Sequence, residues 1–186
     1  MKNAFISYSH KDSEFLDLLH THLAILRREG RINEWYDREI LAGDAFDNVI
    51  LNELLKSELF LALVSPYFLS SNYCYEKEMA KAIELHEQGK LRIVAIILEP
   101  CEWKHTPLKQ FKVVPKDGLP VAEWNNKHSA FLDVVTEIRR ILDNDSDKGV
   151  TGSNFNSNQP KTQQNKYKIK RQFDSIEKSE FLKLRH

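Results

Sequence analysis

The stretch Leu59-Phe60-Leu61-Ala62-Leu63-Val64 runs six apolar residues in succession with no polar position among them. A strand with one wet face would alternate apolar and polar side chains. A short continuous run instead reads as a strand covered on both faces, the situation in a parallel sheet layered between helices. This run is therefore expected at the centre of the sheet. Working outward, residues 91–98 contain a second run of the same kind, Ile93 to Leu98, and residues 4–8 and 32–36 read as two further short strands.

Between these strands the apolar period changes from continuous to helical. Phe15, Leu16, Leu19, Leu23 and Leu26 recur at three- and four-residue steps until Gly30, behind a cap supplied by Asp12 or Ser13. Phe46, Val49, Ile50 and Leu54 mark a second helix, and residues 73–88, ended by Gly89, a third. A last helix over 129–142 puts Phe131, Val134, Val135, Ile138 and Ile141 on one face. Alternating strands and helices predict an α/β fold with a parallel sheet. The stretch 99–126 holds Pro100, Pro107, Pro115 and Pro120 and reads as irregular, with 119–122 as a short edge strand. The polar stretch 37–44 reads as a long loop and 65–72 as another.

The chain has 186 residues, enough for one domain with a remainder, and its 27 Lys plus Arg balance 27 Asp plus Glu. No net field draws it to nucleic acid or an anionic membrane. The longest apolar runs are far short of a membrane span, and residues 1–7 lack a secretory apolar segment, so a cytoplasmic location is expected. Cys74 and Cys101 lack C-x-x-C spacing and read as reduced, buried thiols, and Trp35 reads as core. The domain is placed at 1–142, followed by a flexible polar linker at 143–165, where Val150 and Phe155 are the clearly apolar side chains. In 166–186, Phe173, Ile176, Phe181 and Leu184 space out like one face of a short C-terminal helix, a docking element or the start of a further domain.

Several chemistries are missing. The six glycines, at 30, 43, 89, 118, 149 and 152, form neither G-x-G-x-x-G nor a P-loop. The seven histidines show no H-E-x-x-H, and His20 and His22 point to different faces of a helix, so no metal is expected. There is no G-x-S-x-G elbow. A phosphoacceptor domain would want acidic residues where Ser7-Tyr8-Ser9 and Val64-Ser65 stand. In an open parallel sheet, ligands bind beyond the carboxyl ends of the strands, which places the unusual polar and aromatic clusters of 8–12, 37–46 and 65–78 together.

Those clusters carry a resemblance. Phe5-Ile6-Ser7-Tyr8-Ser9-His10-Lys11-Asp12, then Trp35-Tyr36-Asp37 with Leu41-Ala42-Gly43-Asp44-Ala45-Phe46, then Val64-Ser65-Pro66-Tyr67-Phe68-Leu69-Ser70-Ser71-Asn72-Tyr73-Cys74 with Glu78-Met79, resemble a bacterial Toll/interleukin-1 receptor (TIR) domain. Three motifs in order over residues 1–142 make the likeness specific. It implies a flavodoxin-like three-layer domain with a five-stranded parallel sheet and five helices, the fourth in the Pro-rich stretch.

The resemblance also implies an activity. Many TIR domains are NAD+ glycohydrolases that release nicotinamide and give ADP-ribose or a cyclic ADP-ribose, with a catalytic glutamate four residues after a Trp or Cys. Here Cys74 leads to Glu78, whereas the rival Glu76 lies about 200° around a helix from it. One ionised carboxylate can suffice, because the leaving pyridinium needs no general acid and the developing oxocarbenium ion needs an anion beside it. NAD+ is thus substrate, and no cofactor is implied. By the same resemblance Tyr8, Phe46 and Cys74 line the substrate site, and Ser9, His10 and the backbone N–H groups opening the first helix near Lys11 can meet the pyrophosphate without a glycine-rich loop. Asp37, Arg38, Ile40, Gly43 and Asp44 belong to the family's BB loop, which governs access and TIR-to-TIR assembly, although the Arg-Asp-x-x-Pro-Gly form of animal receptors is absent. The partners implied are other TIR domains and whatever engages 166–186, in a cytoplasmic antiviral defence or signalling effector. A non-catalytic adaptor that scaffolds through TIR contacts is the alternative, since a glutamate in the first turns of a helix is favoured by the helix dipole whatever its role.

Overall fold

The computed structural model describes residues 1–36 and 46–147. Five parallel strands, β1 (Lys2–Ser7), β2 (Ile32–Trp35), β3 (Leu59–Val64), β4 (Arg92–Ile97) and β5 (Lys112–Val114), form one sheet in the order β2-β1-β3-β4-β5. This is the flavodoxin-like order, with the continuous apolar run in the middle, as predicted. Among the described residues five α-helices accompany it: α1 (Ser13–Arg28), α2 (Phe46–Lys56), α3 (Pro66–Ser70), α4 (Met79–Glu87) and α5 (Lys127–Asp147).

Two apolar layers account for why no central strand alternates. Leu59, Leu61 and Leu63 of β3 pack with Ala4, Ile6, Val94 and Ile96 against α1 and α5. Phe60, Ala62 and Val64 pack with Phe5, Ile93 and Ala95 against α2 and α4. The register Phe5↔Phe60 and Ile6↔Leu61 keeps the two sets in step across the strands. All five apolar positions expected on α1 are buried, and on α5 Phe131, Val134, Val135 and Ile138 are buried with Ile141 packed beside them. Trp35 is half-buried and packs against the second of these layers, its ring 5.0 Å from that of Phe5. Cys74 is buried, but Cys101 is only half-buried.

The differences from the sequence reading are local. The segment expected as a loop after β3 contains α3, whose first turn is capped by Ser65 Oγ accepting from the Phe68 N–H at 3.0 Å. The single helix expected over 73–88 is a π-helical turn, Asn72–Glu78, followed by α4. The edge strand lies at Lys112–Val114 instead of 119–122, where Val121–Glu123 forms a 3-10 turn. The Pro-rich stretch holds short 3-10 turns, such as Trp103–His105 and Pro107–Gln110, in place of a fourth regular helix. Helix α5 continues to Asp147, past the predicted end at Leu142. The remainder of the expected linker and the whole of 166–186 lie outside the described residues.

Gly30 ends α1 in a Schellman arrangement, with the Gly30 and Arg31 N–H groups reaching Arg27 and Leu26 carbonyls at 2.9 Å each. Its φ is +64°, and nothing lies within 4 Å of a would-be Cβ. Gly118 has φ +70°, but a Cβ there would stand 2.7 Å from the Trp103 ring. Gly30→Ala should therefore cost about 1 kcal/mol from backbone strain alone, and Gly118→Ala about 2–4 kcal/mol because overpacking adds to it. Denaturant melts of the two variants will show the difference; equal losses would mean that Trp103 moves aside.

Candidate functional site

Strand order reverses beside β1, so the carboxyl ends of β1 and β3 flank the topological switch point where ligands of such sheets bind. Two carboxylates are withdrawn from water at this edge, and each receives a serine hydroxyl from the end of a strand. Ser7 Oγ, at the end of β1, donates to Glu78 Oε2. Ser65 Oγ, just after β3, donates to Asp12 Oδ2 at 2.6 Å. Strand parity sets the faces: Ser7 follows Phe5 toward the α2–α4 layer, whereas Ser65 follows Leu61 and Leu63 toward α1, which begins beside Asp12.

Glu78 is 7% exposed and Ser7 1%. The π-helical turn brings Glu78 there. At its close the Met79 N–H reaches back five residues to the Cys74 carbonyl, a widening of the helix of the kind often found at functional sites. At its start Ser71 Oγ accepts from the Cys74 N–H at 3.2 Å. Cys74 Sγ then donates to the Tyr8 carbonyl at 3.2 Å. The turn is thus fastened to the end of β1 twice, through Cys74 to Tyr8 and through Glu78 to Ser7. A carboxylate without such a donor would cost several kcal/mol to bury.

The predicted site residues separate into groups. Glu78, Cys74 and the Tyr8 backbone come together. The Tyr8 ring is 3% exposed, packs in the apolar layer beneath α1 and α5, and meets His10 edge-on with ring centroids 5.5 Å apart. His10 and Lys11 are exposed and Ser9 half-buried on the short turn before α1. Lys11 Nζ sits 4.8 Å above the Tyr67 ring. Glu76 is half-buried on the same π-helical turn as Glu78. Phe46 opens α2, though its side chain is outside the described residues. Asp37, Arg38, Ile40, Gly43 and Asp44 also lie outside them.

Sequence reasoning missed the two serine donors. The available signal was a hydroxyl closing each of two buried apolar strands, where a polar side chain must find a partner. The helix-capping role open to Asp12 or Ser13 in the sequence is not filled by the Asp12 side chain. Asp12 does occupy the position before α1, but its side chain caps nothing and turns to Ser65 instead. Burial pushes the Asp12 carboxyl above its ordinary value, the Ser65 hydrogen bond opposes this, and the charge of Glu99 adds to it. Burial likewise pushes the Cys101 thiol up, a hydrogen bond to the Trp103 backbone opposes this, and Glu99, Asp12 and Glu102 reinforce it. Cys101 is therefore held as a thiol, a poor nucleophile. The edge is acidic within and carries Lys11 at its rim. Among the described residues no group of three or more His, Cys, Asp or Glu side chains could hold a metal ion.

Comparisons with known proteins agree with this architecture. The family model described as "TIR domain" matches residues 4–130. The protein y4lF of Sinorhizobium fredii is 39% identical over 139 residues, covering 75% of this chain and 43% of that protein. Toll-like receptor 6 of Mus musculus is 25% identical over 111 residues, covering 60% of this chain and 14% of the receptor. The chain thus spans less than half the length of the curated relatives it matches. The crystal structure of the TIR domain of the Toll-related receptor TRR-2 from Hydra magnipapillata superposes with a TM-score of 0.50 at 22% identity, over 78% of this chain and 98% of that one. That likeness bears on the fold.

Two outcomes follow from the serine–carboxylate pairs. Ser7→Ala should lower stability by about 1–3 kcal/mol by taking one donor away from a buried acceptor. Combined with Glu78→Gln, it should cost clearly less than the sum of the two single changes, as measured in a double-mutant cycle by denaturant unfolding. For Asp12 the sign is the reverse of the usual carboxylate case. With its carboxyl raised from 3.8, the folded chain keeps a proton that the unfolded chain has already lost, so this group makes stability fall as pH rises from about that value. Asp12→Asn removes the titration, so its stability relative to wild type should improve between about pH 4 and pH 7; unfolding curves at both pH values will check it.

Proposed function

The chain belongs to the TIR domain family, and from that membership we propose that it is an NAD+ glycohydrolase whose catalytic carboxylate is Glu78. The observation that carries this reading is the placement of Glu78: buried, hydrogen-bonded by Ser7, and set on a π-helical turn at the switch point of the sheet.

The chemistry asks little of the protein beyond that anion. When the bond between ribose and nicotinamide breaks, the pyridinium departs as a neutral base, so no acid has to protonate it. Positive charge grows on the ribose ring, and a fixed carboxylate in a poorly hydrated setting stabilises that cation more than the ground state. A carboxylate oxygen of Glu78 would also accept from a ribose hydroxyl. The Ser7 hydroxyl and the Cys74 contact to Tyr8 hold the carboxylate in place, so it needs little reorganisation as charge develops. Lys11, His10 and the N–H groups opening α1 are the groups at this edge suited to the pyrophosphate. Water attacking the cation gives ADP-ribose; a second nucleophile of the same molecule gives a cyclic product. Self-association through the segment 37–45, a cytoplasmic location and a role in defence signalling belong to the same proposal.

One observation favours a second reading, a non-catalytic adaptor. Glu78 already has a hydrogen-bond donor within the fold, which is enough to explain its burial on structural grounds, and the chain resembles part of a Toll-like receptor. Concentrated or artificially clustered protein incubated with NAD+ separates the two. Free nicotinamide should accumulate, and Glu78→Gln should reduce its rate by about a hundredfold or more while leaving the fold intact by circular dichroism. No nicotinamide from clustered wild-type protein would sink the enzymatic reading and leave the adaptor.

A further inference from the structure

Apart from the π-helical turn that carries Glu78, helices α1 and α5 bring two histidines face to face. His22 Nε2 and His128 Nδ1 stand 3.0 Å apart, with ring centroids 5.3 Å apart and the rings tilted by 37°. His22 lies over the Phe131 ring at a centroid distance of 5.9 Å, and the first turn of α5 is fixed where Asn126 Oδ1 accepts the backbone N–H of His128 at 2.8 Å. His22 is half-buried and His128 exposed, so the outer side of the pair meets solvent.

Two imidazole nitrogens facing one another present a choice. Without a cation, one nitrogen carries a proton and donates it to the other. With a cation, both lone pairs point at the same ion. Metal–nitrogen bonds of about 2.0–2.1 Å at a tetrahedral angle separate the two nitrogens by about 3.3 Å. The observed spacing is within a few tenths of an ångström of that, so an ion could replace the shared proton after a small opening of the pair and little helix movement. At a pH where both rings are neutral, that proton moves to the other nitrogen of its own ring through solvent, and none is released.

We propose that His22 and His128 form a two-histidine site for a late first-row divalent cation of the Zn2+ class, clamping α1 to α5. Imidazole pairs select such ions over Mg2+ and Ca2+, which take oxygen ligands. With no third His, Cys, Asp or Glu grouped there among the described residues, the remaining positions fall to water. Because the two ligands come from different helices, occupancy also stabilises the folded chain.

The test is Zn2+ titration of the full chain by calorimetry near pH 7.5, with thermal melts alongside and Mg2+ as the contrasting ion. Wild type should bind one Zn2+ at this site and melt about 5 °C higher at a hundredfold excess over its dissociation constant, with no response to Mg2+. His22→Ala and His128→Ala should each weaken binding by about tenfold or more and abolish the shift, while His105→Ala, at an exposed position elsewhere, should retain both. Both histidines lie on helix surfaces, so circular dichroism should show the variants folded. Zn2+ binding unchanged in the His22 and His128 variants, or no binding to wild type, would overturn the proposal.

Discussion

A carboxylate can leave water in a folded chain only if something donates to it, and the carboxyl edge of this sheet is organised around that constraint. A serine stands at the end of β1 and another directly after β3, the strands that flank the switch point, and each serves a buried acid: Ser7 for Glu78, Ser65 for Asp12. Around these pairs the local structure is arranged. Ser65 also caps α3, and the π-helical turn is fastened to β1 by Cys74 as well as by Glu78. The buried acids of this edge are therefore part of the fold, and any chemistry there finds carboxyl groups already held in place.

The two sides of the switch point differ in what they can do. The Asp12 carboxyl is raised by burial and by Glu99, so this side resists acquiring further negative charge, and it holds the start of α1 against α3. On the other side Glu78 sits at the end of a widened helical turn, beside the polar segment between β1 and α1. Lys11 lies over Tyr67 at the rim. One side thus supplies structure and the other a candidate for chemistry, although both use the same serine–carboxylate pairing.

The fold was legible because its signals are periodic. An unbroken run such as Leu59 to Val64 announces a doubly covered strand, and the apolar steps of Phe15 to Leu26 announce a helix face; both are properties of the segment alone. The edge strand was not legible, because Lys112, Val113 and Val114 become a strand only by pairing with Val94, Ala95 and Ile96 of β4, a contact no local pattern encodes. The π-helical turn was hidden for a similar reason. Its widening is fixed by ties from Ser71 and from Cys74 to the end of β1, while its sequence reads as ordinary helix. At the site, the position of Glu78 four residues after Cys74 could be read through a family likeness. Ser7, its partner 71 residues away, could not, because a lone serine at a strand end names no partner until the chain is folded.

On the proposed reading, the Glu78 carboxylate lies against the ribose of a bound dinucleotide. A crystal structure of the chain with a non-hydrolysable NAD+ analogue tests it most directly. A ribose hydroxyl should stand within about 3.2 Å of a Glu78 oxygen, with the nicotinamide carbon–nitrogen bond beside the same carboxylate. An analogue seated elsewhere, or a ribose held out of hydrogen-bond reach of Glu78, would contradict it.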